Sequence, residues 1–357
     1  KQEILKSIKL KNKSLSNDLK LNIIKEKSNS KLSRKLIIKE VSINSKTIKK
    51  NDVFFSIKWE KIDENKFVSE ALKKNSSLAI VNRINNNFST FKQIKVENTL
   101  RFLTECSSIF RQNINAKIIS ITGSCGKTTL KEMIGLTLKK ISKTTFSPKS
   151  YNNKYGVPLS LFNLKQDDQF GILEVGMDKK GEIDNLTKII RPDQGIITNI
   201  SYAHSQNFKN INQIAEAKAE IMNNIKRGGT VILNIDDNFY TKHKNFALKK
   251  KLKVNSFGIK NRLAMIKFMR AKKIKNKYEL LINLNGLSVS FFSHNVNESN
   301  IYNILATLAS INVYIDVKKL KKDIFLSFKT PNGRGDISKV KLKNKKIFLV
   351  DETYNSN

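Results

Sequence analysis

The chain has 357 residues, 39% of them hydrophobic and 27% charged, and carries a formal charge of +37. That length allows two or three domains with substantial cores. No run approaches the ~18 consecutive apolar residues of a membrane helix, and two cysteines, Cys106 and Cys125, cannot build a disulfide framework or a zinc site.

A basic excess of this size raises nucleic-acid binding as a candidate. The lysines, however, are spread among Asn and Ile through every segment, and no helix-turn-helix, zinc-finger or RNP pattern accompanies them. The expectation is no nucleic-acid partner, with a positive field that attracts anionic nucleotides. The first twenty residues show no apolar core of a signal peptide, and the two cysteines make a reducing cytoplasm the expected compartment. They also lack an initiator Met, so a sequence incomplete at that end is expected.

Residues 1–97 read as a first unit. In it 35–67 alternate short apolar runs with polar turns, and 68–83 read as a helix followed by a strand. Residues 96–113 predict a helix with Leu100, Leu103, Cys106 and Phe110 on one stripe, bridging into the next domain. From Ala116 the pattern is regular α/β. KIISIT (117–122), FGILEVGM (170–177), QGIITNI (194–200) and TVILNI (230–235) predict buried strands. Between them stand helices over 128–140, with Leu130, Met133, Ile134 and Leu138 on one face, and over 212–226. Such alternation predicts a mostly parallel sheet flanked by helices. Residues 250–293 look strand-rich and 300–310 helical, with Leu305, Leu308 and Ala309 inward. TPNGRGD (330–336) reads as a hinge, after which KKIFLVDET begins another strand.

The chemistry gathers around ISITGSCGKTTLKEMIGLTL (119–138). Gly123 and Gly126, between strand and helix, allow backbone amides to face phosphate oxygens at a helix N-terminus. Lys127 supplies a charge for the β- and γ-phosphates, and Thr128 a hydroxyl for Mg2+. The spacing is shorter than the common G-x-x-x-x-G-K-[ST] loop. Glu174 closes a buried strand at the edge where a parallel sheet places ligands, either as a metal carboxylate or as a capping, ion-paired side chain. His204, beyond another strand end, reads either as a site residue or as a structural histidine. Lys218 reads equally as one exposed helix lysine among many.

These elements resemble the Mur ligases, the ATP-dependent amide-forming enzymes of peptidoglycan precursor synthesis. ITGSCGKTT (121–129) is similar to the family's ITGSNGKTT loop, with Cys125 at the Asn position. SYNNKYGVPLSL (150–161), LEVGMDKKGEI (173–183), TNISYAHSQNF (198–208) and AEAKAEI (215–221) follow in the family's order. VDETYNSN (350–357) is similar to the DDSYNAN segment of the member that adds D-Ala-D-Ala. The resemblance implies an α/β fold with a central, mostly parallel P-loop ATPase domain over 98–330. It also implies a smaller α/β N-terminal domain for the UDP substrate over 1–97. A hinge and the first strand of a Rossmann-like C-terminal domain would occupy 331–357.

It implies site residues too. Gly123, Ser124, Cys125, Gly126, Lys127, Thr128 and Thr129 would hold ATP phosphates, with Asn303 at the adenine and Arg334 and Asp351 at phosphate and ribose. Thr128, Glu174 and His204 would hold Mg2+, and Lys218 matches a lysine that the family carbamylates. Lys127, Lys218, His204 and Glu174 would thus be the catalytic set. Ser45, Lys46, Asn152, Asn153, Tyr354 and Asn355 would meet substrate. The reaction implied joins D-Ala-D-Ala to UDP-N-acetylmuramoyl-tripeptide through an acyl phosphate, with the enzyme a monomer. Another Mur-type ligase and a non-catalytic basic nucleotide-binding homologue are the alternatives.

The chain departs from the family at Asn44-Ser45-Lys46, where DSR is usual, and at Trp59 and Glu64, where glycines are common. At the adenine side Ser299-Asn300 replaces His-Asn, with His294 nearby but out of register. With only one strand of a C-terminal domain, the expectation is a fragment or a degenerate homologue that turns over poorly.

Overall fold

The computed structural model describes residues 16–29, 36–57, 64–202, 207–331, 333–334, 336–342 and 345–351. The chain divides into two compact units, Lys1–Ala116 with Tyr151–Gly171, and Lys117–Ser150 with Ile172–Asn357.

The first unit begins with α1 (Ser16–Ser28), β1 (Val41–Ser42), β2 (Val53–Phe55), α2 (Glu64–Lys73), β3 (Leu78–Val81), β4 (Gln93–Lys95) and α3 (Thr99–Gln112). Strands β1 to β4 form a parallel sheet in sequence order. Its all-apolar strands, VFF and LAIV, are buried throughout, as expected of a parallel sheet covered on both faces. Phe54, Ala79 and Val81 pack with Val68, Ala71 and Leu72 of α2. The stripe expected on α3 is present: Leu103, Cys106 and Phe110 are fully buried, while Leu100 is only half-buried. Asn98 caps this helix through the Arg101 amide at 2.9 Å. Burial pushes the Cys106 thiol up to about 12, so it is an inert core side chain.

The chain then enters the second unit through β5 (Lys117–Thr122), α4 (Lys127–Lys139) and β6 (Thr144–Phe146). It returns to the first for α5 (Gly156–Phe162), whose Phe162 ring meets Phe110 edge-on at 5.5 Å. The second unit resumes with β7 (Phe170–Glu174), α6 (Glu182–Ile190), β8 (Gln194–Ile197), α7 (Ile211–Ala219), β9 (Thr230–Asn234), α8 (Tyr240–Lys249) and β10 (Lys253–Gly258). It continues through β11 (Ile266–Ile274), β12 (Lys277–Leu284), β13 (Leu287–Ser293), α9 (Glu298–Ile311), β14 (Asp336–Leu342) and β15 (Lys345–Asp351).

Nine strands make one sheet, ordered β13-β12-β11-β10-β9-β8-β5-β7-β6. The run β5, β8, β9, β10 and β11 is parallel, and β12 and β13 extend it antiparallel. The strands that follow β5 in the chain lie on both sides of it, with β6 and β7 to one side and β8 onward to the other. The carboxyl end of β5 is therefore a topological switch point, where an open α/β sheet leaves a crevice for ligands. Helix α4 covers the sheet with Leu130, Met133, Ile134 and Leu138, each at most 1% exposed, as their spacing requires.

Two expectations change in detail. The helix read over 212–226 ends at Ala219, and Glu220–Asn224 is a 3-10 turn. The strand at 345 pairs antiparallel with an unexpected partner, β14. Trp59 lies outside the described residues.

Candidate functional site

At the switch point β5 ends in Thr122, and the chain turns through Gly123 and Gly126 into α4. Gly123 has a φ of 145°, and a Cβ there would lie 1.8 Å from Thr198 Oγ1, so only glycine fits. Gly126, with a φ of 79°, is the left-handed residue before α4.

The loop is strapped to the segment after β8. Asn199 accepts from the Ser124 amide through its carbonyl and from the Cys125 amide through Oδ1, both at 2.9 Å. Thr198 Oγ1 donates to the Cys125 carbonyl at 2.7 Å, and Ser124 Oγ donates to the Ser201 carbonyl at 2.9 Å. The amides at the front of the loop are thus engaged. The donors that any helix leaves open in its first turn, here those of Lys127 to Thr129, face an incoming anion. Thr198, Asn199 and Ser201 were not singled out from the sequence. Their segment was noted only for His204, which lies outside the described residues.

Four predicted residues converge on this loop. Lys127 Nζ donates to the carbonyls of Gly123 at 2.8 Å and Ser124 at 3.1 Å. Lys218, on α7, donates to the same Gly123 carbonyl at 3.0 Å. It is 1% exposed, which removes the reading as an exposed surface lysine. Burial, then the neighbouring Lys127 charge, lowers Lys218 to about 7. Lys127 is also lowered, mainly by burial, with Glu174 acting in the opposite direction. Thr128 Oγ1 donates to Glu174 Oε2 at 2.7 Å, and both side chains are buried. The ends of β5 and β7 are held level by the Val175 amide, which donates to Ile121 at 2.8 Å.

A hydroxyl and a carboxylate oxygen, both buried at a phosphate loop, are hard donors that suit Mg2+. That ion takes one or two carboxylates and completes its shell with water and phosphate. Among the described residues no group of three His, Cys, Asp or Glu gathers as a metal cage. The donor set therefore fits a metal shared with a nucleotide rather than a protein-only site.

Other predicted residues have their own surroundings. Asn303 Oδ1 lies 3.8 Å from the place of a Cβ on Gly126, so α9 carries it to the loop. Its neighbour Tyr302 donates to Asp236 at 3.0 Å, which anchors that turn of helix. Arg334 donates to Ser150 Oγ at 3.0 Å, and its charge is felt at Lys127. Cys125 is exposed, and Thr129 is buried on α4. Asp351 ends β15, and its side chain, with Tyr354 and Asn355, lies outside the described residues.

Ser45, Lys46, Asn152 and Asn153 belong to the first unit. The Ser45 hydroxyl is committed to Glu70 at 2.6 Å, while Asn44 Oδ1 accepts from the Lys46 amide at 2.9 Å. This turn leaves Lys46 as the exposed member of the pair. Asn153 Oδ1 accepts from the Tyr155 and Gly156 amides at 3.1 and 3.0 Å, fixing the entry to α5.

A short glycine loop at a sheet switch point, with a lysine, a threonine and a strand-end carboxylate, defines a P-loop-type nucleotide-binding protein. Residues 121–311 match the model of the Mur ligase middle domain. The UDP-N-acetylmuramoyl-tripeptide--D-alanyl-D-alanine ligase of Buchnera aphidicola from Acyrthosiphon pisum is 34% identical, covering 90% of this chain and 70% of its own length. The ligase of the same name from Buchnera aphidicola of Baizongia pistaciae is 30% identical over 90% of this chain and 68% of its own. A crystal structure of MurF from Acinetobacter baumannii superposes with a TM-score of 0.79 at 25% identity, covering 94% of this chain and 73% of that one. The chain belongs to the Mur ligase family.

Proposed function

We propose that the protein is an ATP-dependent, ADP-forming ligase that joins D-Ala-D-Ala to UDP-N-acetylmuramoyl-tripeptide in peptidoglycan precursor synthesis. The observation that carries this reading is the convergence of Lys127, Thr128, Glu174 and Lys218 on one phosphate loop. The match to relatives bearing that ligase's name, over 90% of the chain, supports the substrates.

The reaction has an electrostatic problem at its centre. The tripeptide carboxylate attacks the γ-phosphorus of ATP, giving an acyl phosphate and ADP, so two anions must meet. Lys127 leaves the Gly123 and Ser124 carbonyls for the phosphate oxygens, and the first-turn amides of α4 hold the others. Thr128 and Glu174, with His204, would hold Mg2+, which screens the approaching charges. The amine of D-Ala-D-Ala then attacks the acyl carbon, and phosphate leaves from the tetrahedral intermediate.

Lys218 is assigned a carbamate: its neutral amine adds to CO2, an N–C bond forms and a proton goes to solvent. That change turns a cation crowded against Lys127 into an anion attracted to it. Asn303 is assigned to adenine, Arg334 and Asp351 to phosphate and ribose, and Asn152 and Asn153 to the acyl substrate. Ser45 and Lys46 are assigned to the UDP end, Lys46 as the accessible contact, and Tyr354 and Asn355 to substrate beyond the hinge. In the same reading the domains are 1–97, 98–330 and 331–357, and the enzyme is a cytoplasmic monomer. No helix among the described residues is long and apolar enough to cross a membrane.

The test is ADP formation by the full-length protein with Mg2+. ADP formation over many turnovers is expected only when both tripeptide and D-Ala-D-Ala are present, and Lys127→Ala is expected to lower it by about 100-fold or more. ADP formation equal in Lys127→Ala and the unaltered protein overturns the assignment.

A further inference from the structure

Lys131 stands one helical turn beyond Lys127 on α4, is 0% exposed, and has no part in the reaction as described above. Its helix neighbours Leu130, Met133 and Ile134 are core residues, and a cation in such surroundings is costly unless specific partners hold it. Its partners are specific. Nζ donates to the carbonyl of Lys149, and Glu132 Oε1 is 4.0 Å away. Burial lowers the Lys131 ammonium below its usual range, Glu174 and Glu132 act in the opposite direction, and the Arg334 charge adds to the lowering.

The acceptor belongs to an unusual bend. Lys149 has a φ of 46°, in the left-handed region that costs a non-glycine residue on the order of 1 kcal/mol or more. Either side of it, the bend is tied to the site. The Ser147 amide donates to Ile172 at 2.9 Å, and Ser147 Oγ accepts from the Glu174 amide at 3.4 Å. Ser150 Oγ receives the Arg334 guanidinium. A continuous set of bonds thus runs from α4 through Lys131, Lys149 and Ser150 to Arg334.

We propose that Lys131 is a positioning residue for ATP: it holds the 147–150 bend so that Ser150 presents Arg334 to the phosphates gathered by the loop. The proposal rests on the nucleotide reading above and adds to it a residue that never touches the nucleotide. A methionine would fill the same space without the donor, so volume and hydrogen bonding separate cleanly.

The experiment is a double-mutant cycle on binding of a fluorescent ATP analogue with Mg2+ to the full-length protein. Lys131→Met and Arg334→Ala are each expected to weaken binding about tenfold, and together still about tenfold, because both remove one coupled interaction. A merely structural lysine would give independent losses that multiply to about 100-fold, and that result overturns the proposal. Lys131→Gln, which keeps a donor for the Lys149 carbonyl, is expected to retain more affinity than Lys131→Met; equal weakness overturns it. Should Lys131→Met fail to fold, Ser150→Ala carries the test on a half-buried side chain outside the core. Unchanged ATP affinity in Ser150→Ala breaks the link and overturns the proposal. Absence of binding by the unaltered protein overturns the nucleotide reading beneath it, whereas multiplying losses overturn the role of Lys131 alone.

Discussion

Lys127 and Lys218 donate to the same carbonyl oxygen of Gly123, so two ammonium groups compete for one acceptor in a buried pocket. Lys218 is lowered from its ordinary 10.5 to about 7, by burial and then by the Lys127 charge. A depressed lysine binds fewer protons folded than unfolded between those two values, so it penalises the native state at low pH. That penalty is fully present below about 7 and is relieved as pH rises from there towards 10.5. The expected outcome is a 13C-labelled Lys218 side chain titrating near 7 in NMR, and Lys218→Met removing that titration. A midpoint near 10 would remove the basis for a neutral, CO2-reactive amine. Cys125, by contrast, is held in the loop through its backbone, whose amide and carbonyl bond Asn199 and Thr198.

At the scale of elements, the loop and α4 divide two tasks. The apolar face of α4 builds the core, while its N-terminus faces the phosphates. Ile134→Ala is expected to lower stability by about 2–5 kcal/mol in denaturant unfolding while ATP affinity is retained. Gly123→Ala is expected to lower ATP affinity as well as stability, because its Cβ would collide with Thr198 and break the strap that shapes the loop. If Ile134→Ala abolished binding at unchanged stability, this division would be wrong. The loop and the α4 stripe were legible in the sequence because glycine spacing and helical periodicity are local. Asn199 and Thr198 were not, since strand order alone brings them to the loop from over 70 positions away. Lys131 was hidden for a different reason: among 67 basic residues nothing local marks a buried lysine, and Lys218 was marked only by the resemblance of AEAKAEI to the family's segment. Strand β14, DISKVKL, alternates with lysines and reads as polar until its partner β15 is seen.

For the whole molecule, strand order is the determining feature. The chain leaves β5 to both sides, and this brings Glu174 from β7 and the Asn199 strap from beyond β8 to one crevice. The charge of +37 is spread over that framework, so its contribution is a general attraction for anionic substrates rather than a docking surface. Seeing ATP cleaved would leave the choice among Mur-type ligases open; the identity of the joined product closes it. The decisive measurement is mass spectrometry of the product made by the full-length protein from ATP, Mg2+, UDP-N-acetylmuramoyl-tripeptide and D-Ala-D-Ala. The expected result is a new species heavier than the UDP substrate by one dipeptide less one water, formed in step with ADP and phosphate and absent with Lys127→Ala. No such species, or equal incorporation of another amino acid or dipeptide in place of D-Ala-D-Ala, would contradict it.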